Sequence, residues 1–157
     1  GLNEVMESAA AAGVTVTVEH FPSPRSPFVV SADVNRAVKA VPGLKITFDN
    51  GNVVTGGESP RDAVLASPGD IVHAHFKDFA ACGEGDSGAR QGLDGKFRRP
   101  VLVGDGDVDQ IGGLEALKQC GYQGHINFEY EGSEYTPREA TIIGVDRMRE
   151  MIASLGQ

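Results

Sequence analysis

The sequence predicts an α/β fold in which about four parallel β-strands are separated by helices. Short segments rich in β-branched and aromatic residues alternate along the chain with segments that carry helix caps. Strands that are joined through helical crossovers pair in parallel. The length of 157 residues suits one compact domain, and the chain shows no interdomain linker, so residues 1–157 are expected to form a single domain.

The first predicted elements are a helix, a strand and a loop. Residues 3–12 have a helix-like composition, and Gly13 follows them as a C-cap. Residues 14–19 alternate β-branched side chains along their whole length, which is typical of a strand. Three prolines between residues 20 and 27 then predict a loop.

The next segment predicts two helices on either side of a second strand. A helix is predicted over residues 31–40, which begin with a serine N-cap and are followed by Pro-Gly. Residues 44–49 form the second strand, and residues 50–57 are expected to be a glycine-rich loop. Ser59 followed by Pro60 predicts the start of a short helix.

The rest of the chain predicts two more strands and two more helices. Residues 71–76 form the third strand, and a glycine-rich segment over 78–106 has a length usual for functional or mobile loops. A capping-box-like aspartate opens a predicted helix over residues 107–120. Residues 126–129 form the fourth strand, and a threonine cap with proline at N1 starts a last helix over 136–154.

Each predicted strand ends in a side chain that can bind a metal or move a proton. These residues are Glu19, Asp49, His75 and Glu129. Side chains alternate between the two faces of a strand, and each of these residues lies in a polar row opposite an apolar row. A parallel sheet covered by helices on both faces would be apolar throughout. The polar row therefore predicts the inner face of a (β/α) barrel, whose active site lies at the strand carboxyl ends.

Three carboxylates and one imidazole form a hard, oxygen-rich set of donors. Mn²⁺, Mg²⁺ or Co²⁺ suits such a set, and Zn²⁺ is a further option. For a single acidic strand end, a solvated loop start is the better interpretation. Four residues in register on the polar row favour a divalent-metal site instead.

Further residues lie in the polar row or beside it. Lys77 is interpreted as pointing at substrate or, alternatively, as a solvated loop lysine. His73 lies one layer deeper and is either a substrate contact or a hydrogen-bonded core histidine. His20 is either a contact at the substrate edge or part of the loop packing, and Glu131 is an alternative to Glu129.

The chain is acidic, with one basic cluster. It has 22 acidic and 14 basic residues, a net charge of −8, which argues against nucleic acid as a partner. The basic cluster consists of Arg90, Lys96, Arg98 and Arg99. It either docks a phosphate or carboxylate of a substrate or forms a solvated face of the glycine-rich segment.

Membrane attachment and secretion are not expected. No apolar run approaches the roughly 18 residues that a membrane span needs, and the first residues lack the basic region of a secretory signal. The only cysteines are Cys82 and Cys120. Such sparse cysteine usage favours a reducing compartment, so a cytoplasmic location is expected.

Several motifs resemble those of the xylose-isomerase-like superfamily of sugar and sugar phosphate isomerases and epimerases. The motifs follow the order of that family along nearly the whole chain. They are Thr17-Val18-Glu19-His20-Phe21, Ile46-Thr47-Phe48-Asp49-Asn50-Gly51-Asn52, His73-Ala74-His75-Phe76-Lys77-Asp78, Gly104-Asp105-Gly106-Asp107-Val108-Asp109, Gly121-Tyr122-Gln123-Gly124 and Phe128-Glu129-Tyr130-Glu131.

The resemblance implies a TIM barrel with a divalent metal, Mn²⁺ being the expected ion, at the ends of strands five to eight. The implied ligands are Glu19, Asp49, His75 and Glu129. It further implies that Glu19 and Glu129 flank the substrate carbon, one removing a proton and the other returning it through a metal-stabilised enediolate. The residues expected to contact a sugar or polyol substrate are His20, Asn52, His73 and Lys77.

Two positions depart from the ketose epimerases of this family. Asn52 stands where they have a histidine, three residues after the metal aspartate, and Ala81 stands where they have an arginine. An inosose dehydratase-like lyase is therefore an alternative to a sugar isomerase or epimerase. The acidic net charge argues against a function like that of the abasic-site endonucleases in this superfamily.

The length fits only part of such a barrel. A complete barrel takes about 250 residues, so four strands correspond to a half barrel equivalent to strands five to eight. A half barrel exposes two strand edges. We therefore expect either a missing amino-terminal half or a homodimer, and a non-catalytic half barrel that binds metal or sugar, or only assembles, is a further alternative.

Overall fold

The computed structural model describes residues 1–156 and contains two β-sheets with helices around the larger one. In chain order the elements are α1 (Leu2–Ala11), β1 (Thr17–Glu19), α2 (Ser31–Ala40), β2 (Lys45–Asp49), α3 (Asn50–Gly56), α4 (Pro60–Leu65), β3 (Ile71–Phe76), β4 (Asp78–Ala81), β5 (Arg90–Gln91), β6 (Phe97–Val101), α5 (Gln110–Gln119), β7 (His125–Phe128) and α6 (Pro137–Ser154).

The larger sheet is parallel and has the strand order β1-β2-β3-β7. This arrangement confirms the α/β class and the partial barrel, because the sheet does not close on itself within residues 1–156. Strand β1 is shorter than predicted: the amide of Val14 donates to the carbonyl of Ala9 at the end of α1, and β1 begins only at Thr17, just after Val16, whose carbonyl accepts from the amide of Lys45 on β2. Strands β1 and β7 form the two edges.

The apolar row of the sheet faces the helices, as the alternation predicted. Ile46, Phe48, Ala74 and Phe76 are fully buried on this side. Phe48 and Phe76 pack edge to face, with their ring centroids 6.0 Å apart. The opposite side of the sheet carries the polar row, so the strand ends are left free to build a site. None of the helices described in residues 1–156 combines the length and apolarity needed to cross a bilayer.

The prediction of a loop over residues 50–57 is wrong, because this segment forms α3. The carboxylate of Asp49 caps the helix by accepting from the amide of Asn52 at 2.8 Å. Gly57 ends it with a φ of 101°, which suits a residue without Cβ. Two glycines hide the helical pattern in the sequence, whereas the cap and the burial of Val53 stabilise the helix.

The segment 78–106 is not the long loop that was predicted, because it contains a three-stranded antiparallel sheet in the order β4-β6-β5. The buried carboxylate of Asp78 holds the segment together by accepting backbone amides of Phe79, Gly104, Gly106 and Val108. A Cβ at residue 106 would lie 2.3 Å from Oδ1 of Asp78, so only glycine allows this approach. The sheet brings part of the basic cluster over the strand ends.

Two predicted helix caps also differ from the structure. Val30 occupies the cap position of α2, while Ser31 lies in the first turn and donates from its amide and hydroxyl to Glu58. Asp109 caps α5 by accepting from the amide of Gly112 at 2.8 Å. Asp107, the predicted cap, instead accepts from the amide of Ala81 at the end of β4.

We expect Asp94→Asn to lower the free energy of unfolding by about 1 kcal/mol near neutral pH. Asp94 accepts two hydrogen bonds from the guanidinium of Arg98, at 2.9 and 2.7 Å, and this contact holds its pKa at about 2. The stabilisation is complete above the unfolded pKa of about 3.9 and is lost as the pH falls through about 2. Urea unfolding of both proteins between pH 7 and 3 should show the difference shrinking below about pH 4, and a constant difference would contradict this role.

Candidate metal centre

Three strand ends bring their polar side chains to one point. One donor atom from each of Glu19, Asp49 and His75 lies within 4.8 Å of the other two. The register explains this convergence, since Asp49 is paired with His75 across β2 and β3. Glu129 follows β7 directly, and its Oε2 lies 3.8 Å from Nδ1 of His75. The structure thus brings three of the four predicted ligands into one cluster, and Glu129 lies beside them.

Asp49 is fully buried and uses its two oxygens differently. Oδ1 accepts from the amide of Asn52 as the cap of α3. Oδ2 makes no aligned hydrogen bond within residues 1–156, although it lies 3.0 Å from Nζ of Lys77. Burial raises the pKa of Asp49 to about 7, against the lowering effect of the nearby ammonium. A divalent metal cation beside Oδ2 would add to the effect of the ammonium and keep this carboxylate ionised.

Glu19 and His75 form a hydrogen-bonded pair. Nδ1 of His75 lies 3.0 Å from Oε1 of Glu19. This bond is the main reason why the pKa of His75 is raised, and it outweighs the opposing effect of burial. Burial alone would raise the pKa of Glu19, but the hydrogen bond and the charge of His75 lower it overall. The two groups are held in place and face the same small volume.

Lys77 reaches into the same cluster and is only 5% exposed. Its ammonium lies 3.3 Å from Oε2 of Glu129 and 2.7 Å from Oε1 of Glu131. Burial alone would lower the pKa of Lys77, but Asp49 and the other carboxylates raise it overall, so the side chain stays charged. A Cβ at Gly51 would lie 2.6 Å from Cγ of Lys77, so the glycine makes room for the lysine stem.

Other residues with proposed substrate contacts lie at different depths. Asn52 lines the cavity, and its side-chain amide donates to the carbonyl of His20 at 2.8 Å. His73 stacks edge to face on His75, one layer below it, with ring centroids 4.8 Å apart. The ring of His20 is fully buried against Phe48, and its nitrogens have no hydrogen-bond partner in the described chain. This burial places His20 in the loop packing rather than on the cavity wall.

The cavity above the cluster has a volume of about 430 Å³. Its wall contains the carboxylates of Glu19 and Glu129 as well as residues of the antiparallel sheet, which are Phe79, Arg90, Gln91 and Arg98. Arg90 pairs with Glu131, and Arg98 with Asp94. Of the basic cluster, only Arg90 and Arg98 line the cavity, and each of the two has a carboxylate partner.

Sequence reasoning missed the residues that hold Lys77 in place. Its backbone amide donates to Oδ1 of Asn50, and its carbonyl accepts from the side chain of Gln110. Asn50 and Gln110 also bond to each other at 2.7 Å, all in the buried interior. These partners are 27, 33 and 60 residues apart, so no local pattern could have linked them.

The donors fit a divalent cation. Carboxylate oxygens and one imidazole form a mainly hard set that suits ions such as Mn²⁺, Mg²⁺ and Zn²⁺. The buried Oδ2 of Asp49, without an aligned donor, is directed into the space that the other donors surround. The ammonium of Lys77 borders that space and contacts two of the four predicted ligands, Asp49 and Glu129.

Comparisons with known proteins show the family and the fold of the chain. The family model of the xylose isomerase-like TIM barrel matches residues 1–151. An uncharacterized protein of Methanocaldococcus jannaschii is 30% identical over 134 residues, which are 82% of this chain and 41% of that protein.

Two solved structures show the same fold. A D-tagatose 3-epimerase-like protein has a TM-score of 0.75 and 24% identity, over 99% of this chain and 53% of its own. An IOLI protein with a bound zinc atom has a TM-score of 0.79 and 19% identity, over 98% of this chain and 54% of its own. The chain thus spans about half or less of the length of the proteins that it matches. It belongs to the xylose isomerase-like TIM-barrel family.

Proposed function

We propose that this chain supplies the metal-holding half of a divalent-metal-dependent isomerase or epimerase of a sugar or sugar phosphate. The observation that carries the proposal is the convergence of Glu19, Asp49 and His75, with Glu129 beside them, around the buried Oδ2 of Asp49. Mn²⁺ is the ion that we propose first, with Mg²⁺, Co²⁺ or Zn²⁺ as substitutes.

The residues around the cluster can perform a proton transfer. A divalent cation, when bound, polarises the oxygens next to a carbon acid and so favours loss of its proton. Glu19 and Glu129 come from the two edge strands of the sheet and both line the cavity, so one can remove the proton and the other can return it. The ammonium of Lys77 can donate a hydrogen bond to a negatively charged substrate oxygen.

A dehydratase acting on a keto-inositol is the second candidate. That reaction needs an acid that gives a proton to the leaving hydroxyl group. The raised pKa of Lys77 makes its ammonium a reluctant proton donor, whereas a permanent charge suits the stabilisation of an enediolate. Lys77 therefore suits the isomerase or epimerase better than the role of this acid.

The partner of this half barrel is also a proposal. Strands β1 and β7 each have one neighbour in the larger sheet, and unpaired strand edges attract further strands. An amino-terminal half or a second copy of the chain would cover both edges. If a second copy does so, the assembly holds two metal sites.

The two cysteines form no disulfide, in keeping with the proposed cytoplasmic location.

We expect Glu19→Gln and His75→Ala to weaken Mn²⁺ binding by more than about 100-fold, beyond the loss that outer partners of a metal site cause. Both substitutions remove a direct donor. Isothermal titration calorimetry with MnCl₂ measures the affinity, and the exposed His125 on β7 provides the control His125→Ala. Binding as tight as that of the parent in both Glu19→Gln and His75→Ala would rule out this site.

In D₂O with Mn²⁺, the protein should catalyse the exchange of deuterium into a ketohexose or its phosphate ester, at the carbon next to the carbonyl. Because Glu19 and Glu129 are proposed to move the proton, Glu19→Gln and Glu129→Gln should each slow exchange by at least about 100-fold. Proton NMR follows the exchange. Loss of water from a keto-inositol, without such exchange, would favour the dehydratase. Tight metal binding without either reaction would favour a non-catalytic half barrel.

We expect the chain to self-associate at micromolar concentration, since its sheet edges are open. Asn127 is exposed on the edge strand β7, so Asn127→Lys should lower the association constant by placing a charge at this edge. Ile111→Lys, on α5, is the matched control on a helix. Sedimentation velocity measures the mass. A monomer at all concentrations would exclude the second copy and leave the amino-terminal half as the partner.

A further inference from the structure

We propose that Glu131, anchored by Arg90, is a positioning residue that competes with two of the predicted metal ligands for the ammonium of Lys77 and thereby sets the cation affinity of the site. The inference rests on the metal centre proposed above. It concerns three residues outside the four donors, which are Glu131, Arg90 and Lys77, and it gives the antiparallel sheet a part in cation binding.

The contacts of Glu131 define this role. Its Oε1 lies 2.7 Å from Nζ of Lys77, and its Oε2 pairs with the guanidinium of Arg90 on β5. Neither oxygen belongs to the cluster of Glu19, Asp49 and His75. Each oxygen thus has one cationic partner, so Glu131 joins the end of β3 to the antiparallel sheet.

The position of the Lys77 ammonium depends on its three carboxylate partners. Asn50 and Gln110 fix the backbone of the residue, and Gly51 and Phe79 lie close to its stem. Only the end of the side chain is free to change partners. Two of the three carboxylates, Asp49 and Glu129, are predicted metal ligands.

The ammonium therefore competes with a metal ion for two of its ligands. Glu131 offers the shortest of the three contacts and draws the ammonium toward the cavity wall. Without that carboxylate the ammonium would be left with Asp49 and Glu129 alone and would bind them more closely. Loss of Glu131 should then weaken metal binding because Lys77 changes partners, and not because the negative charge of Glu131 itself is lost.

A double-mutant cycle in the full chain separates these two effects. We expect Glu131→Gln to weaken Mn²⁺ binding about 10-fold, the size typical of an outer partner of a metal site. Lys77→Met should tighten binding, and adding Glu131→Gln to it should change the affinity less than about 2-fold if the effect passes through Lys77. Glu134 lies in the same loop as Glu131 and pairs with Arg99 on β6, so Glu134→Gln is the matched control.

Glu131→Asp adds a second, independent measurement. It keeps the negative charge but withdraws it from Lys77 by one methylene group, so it should also weaken Mn²⁺ binding if position matters. Calorimetry at one fixed pH provides all affinities, and thermal unfolding confirms that each variant is folded. Equal losses from Glu131→Gln with and without Lys77, or parent-like binding by Glu131→Asp, would overturn the inference alone. A parent chain that binds no Mn²⁺ would overturn the proposed metal centre together with it.

Discussion

The carboxylate of Asp49 is the group on which both the local fold and the candidate site depend. One oxygen caps α3, a helix whose own sequence gives it little stability. The other oxygen is buried at the strand end without an aligned donor. Because the cap fixes the side chain, the second oxygen is directed toward His75 and Lys77. A single buried acid therefore links the start of a helix to the geometry of the candidate metal centre.

Charge balance is the second constraint on the site. Four carboxylates, those of Glu19, Asp49, Glu129 and Glu131, lie around one imidazole and one ammonium. Burial makes an ionised carboxylate costly, and the raised pKa of Asp49 expresses that cost even with the ammonium of Lys77 beside it. A divalent cation would relieve it, while Lys77 relieves part of it within the chain. At the proposed metal centre, metal and ammonium would compete for the same negative charge, and this is why we infer that the lysine influences metal affinity.

The antiparallel sheet depends on a different buried acid. Asp78 collects four backbone amides from the turns that surround it, and this network replaces the long loop that the glycines had indicated. The sheet carries Arg90 and Arg98 to the cavity. Arg90 pairs with Glu131, and both residues line this cavity. Strands β1 and β7 remain the open edges of the larger sheet within residues 1–156.

The sequence by itself determined the four parallel strands, the outward apolar row and the grouping of Glu19, Asp49, His75 and Glu129. These features follow from alternation along a strand and from the common end of parallel strands, both of which are local rules. It did not determine α3, the antiparallel sheet or the surroundings of Lys77. Those depend on contacts such as Asn50 with Gln110, 60 residues apart, and Arg90 with Glu131. Only the tertiary structure decides such contacts, because a long-range hydrogen bond or ion pair leaves no periodic trace in the chain.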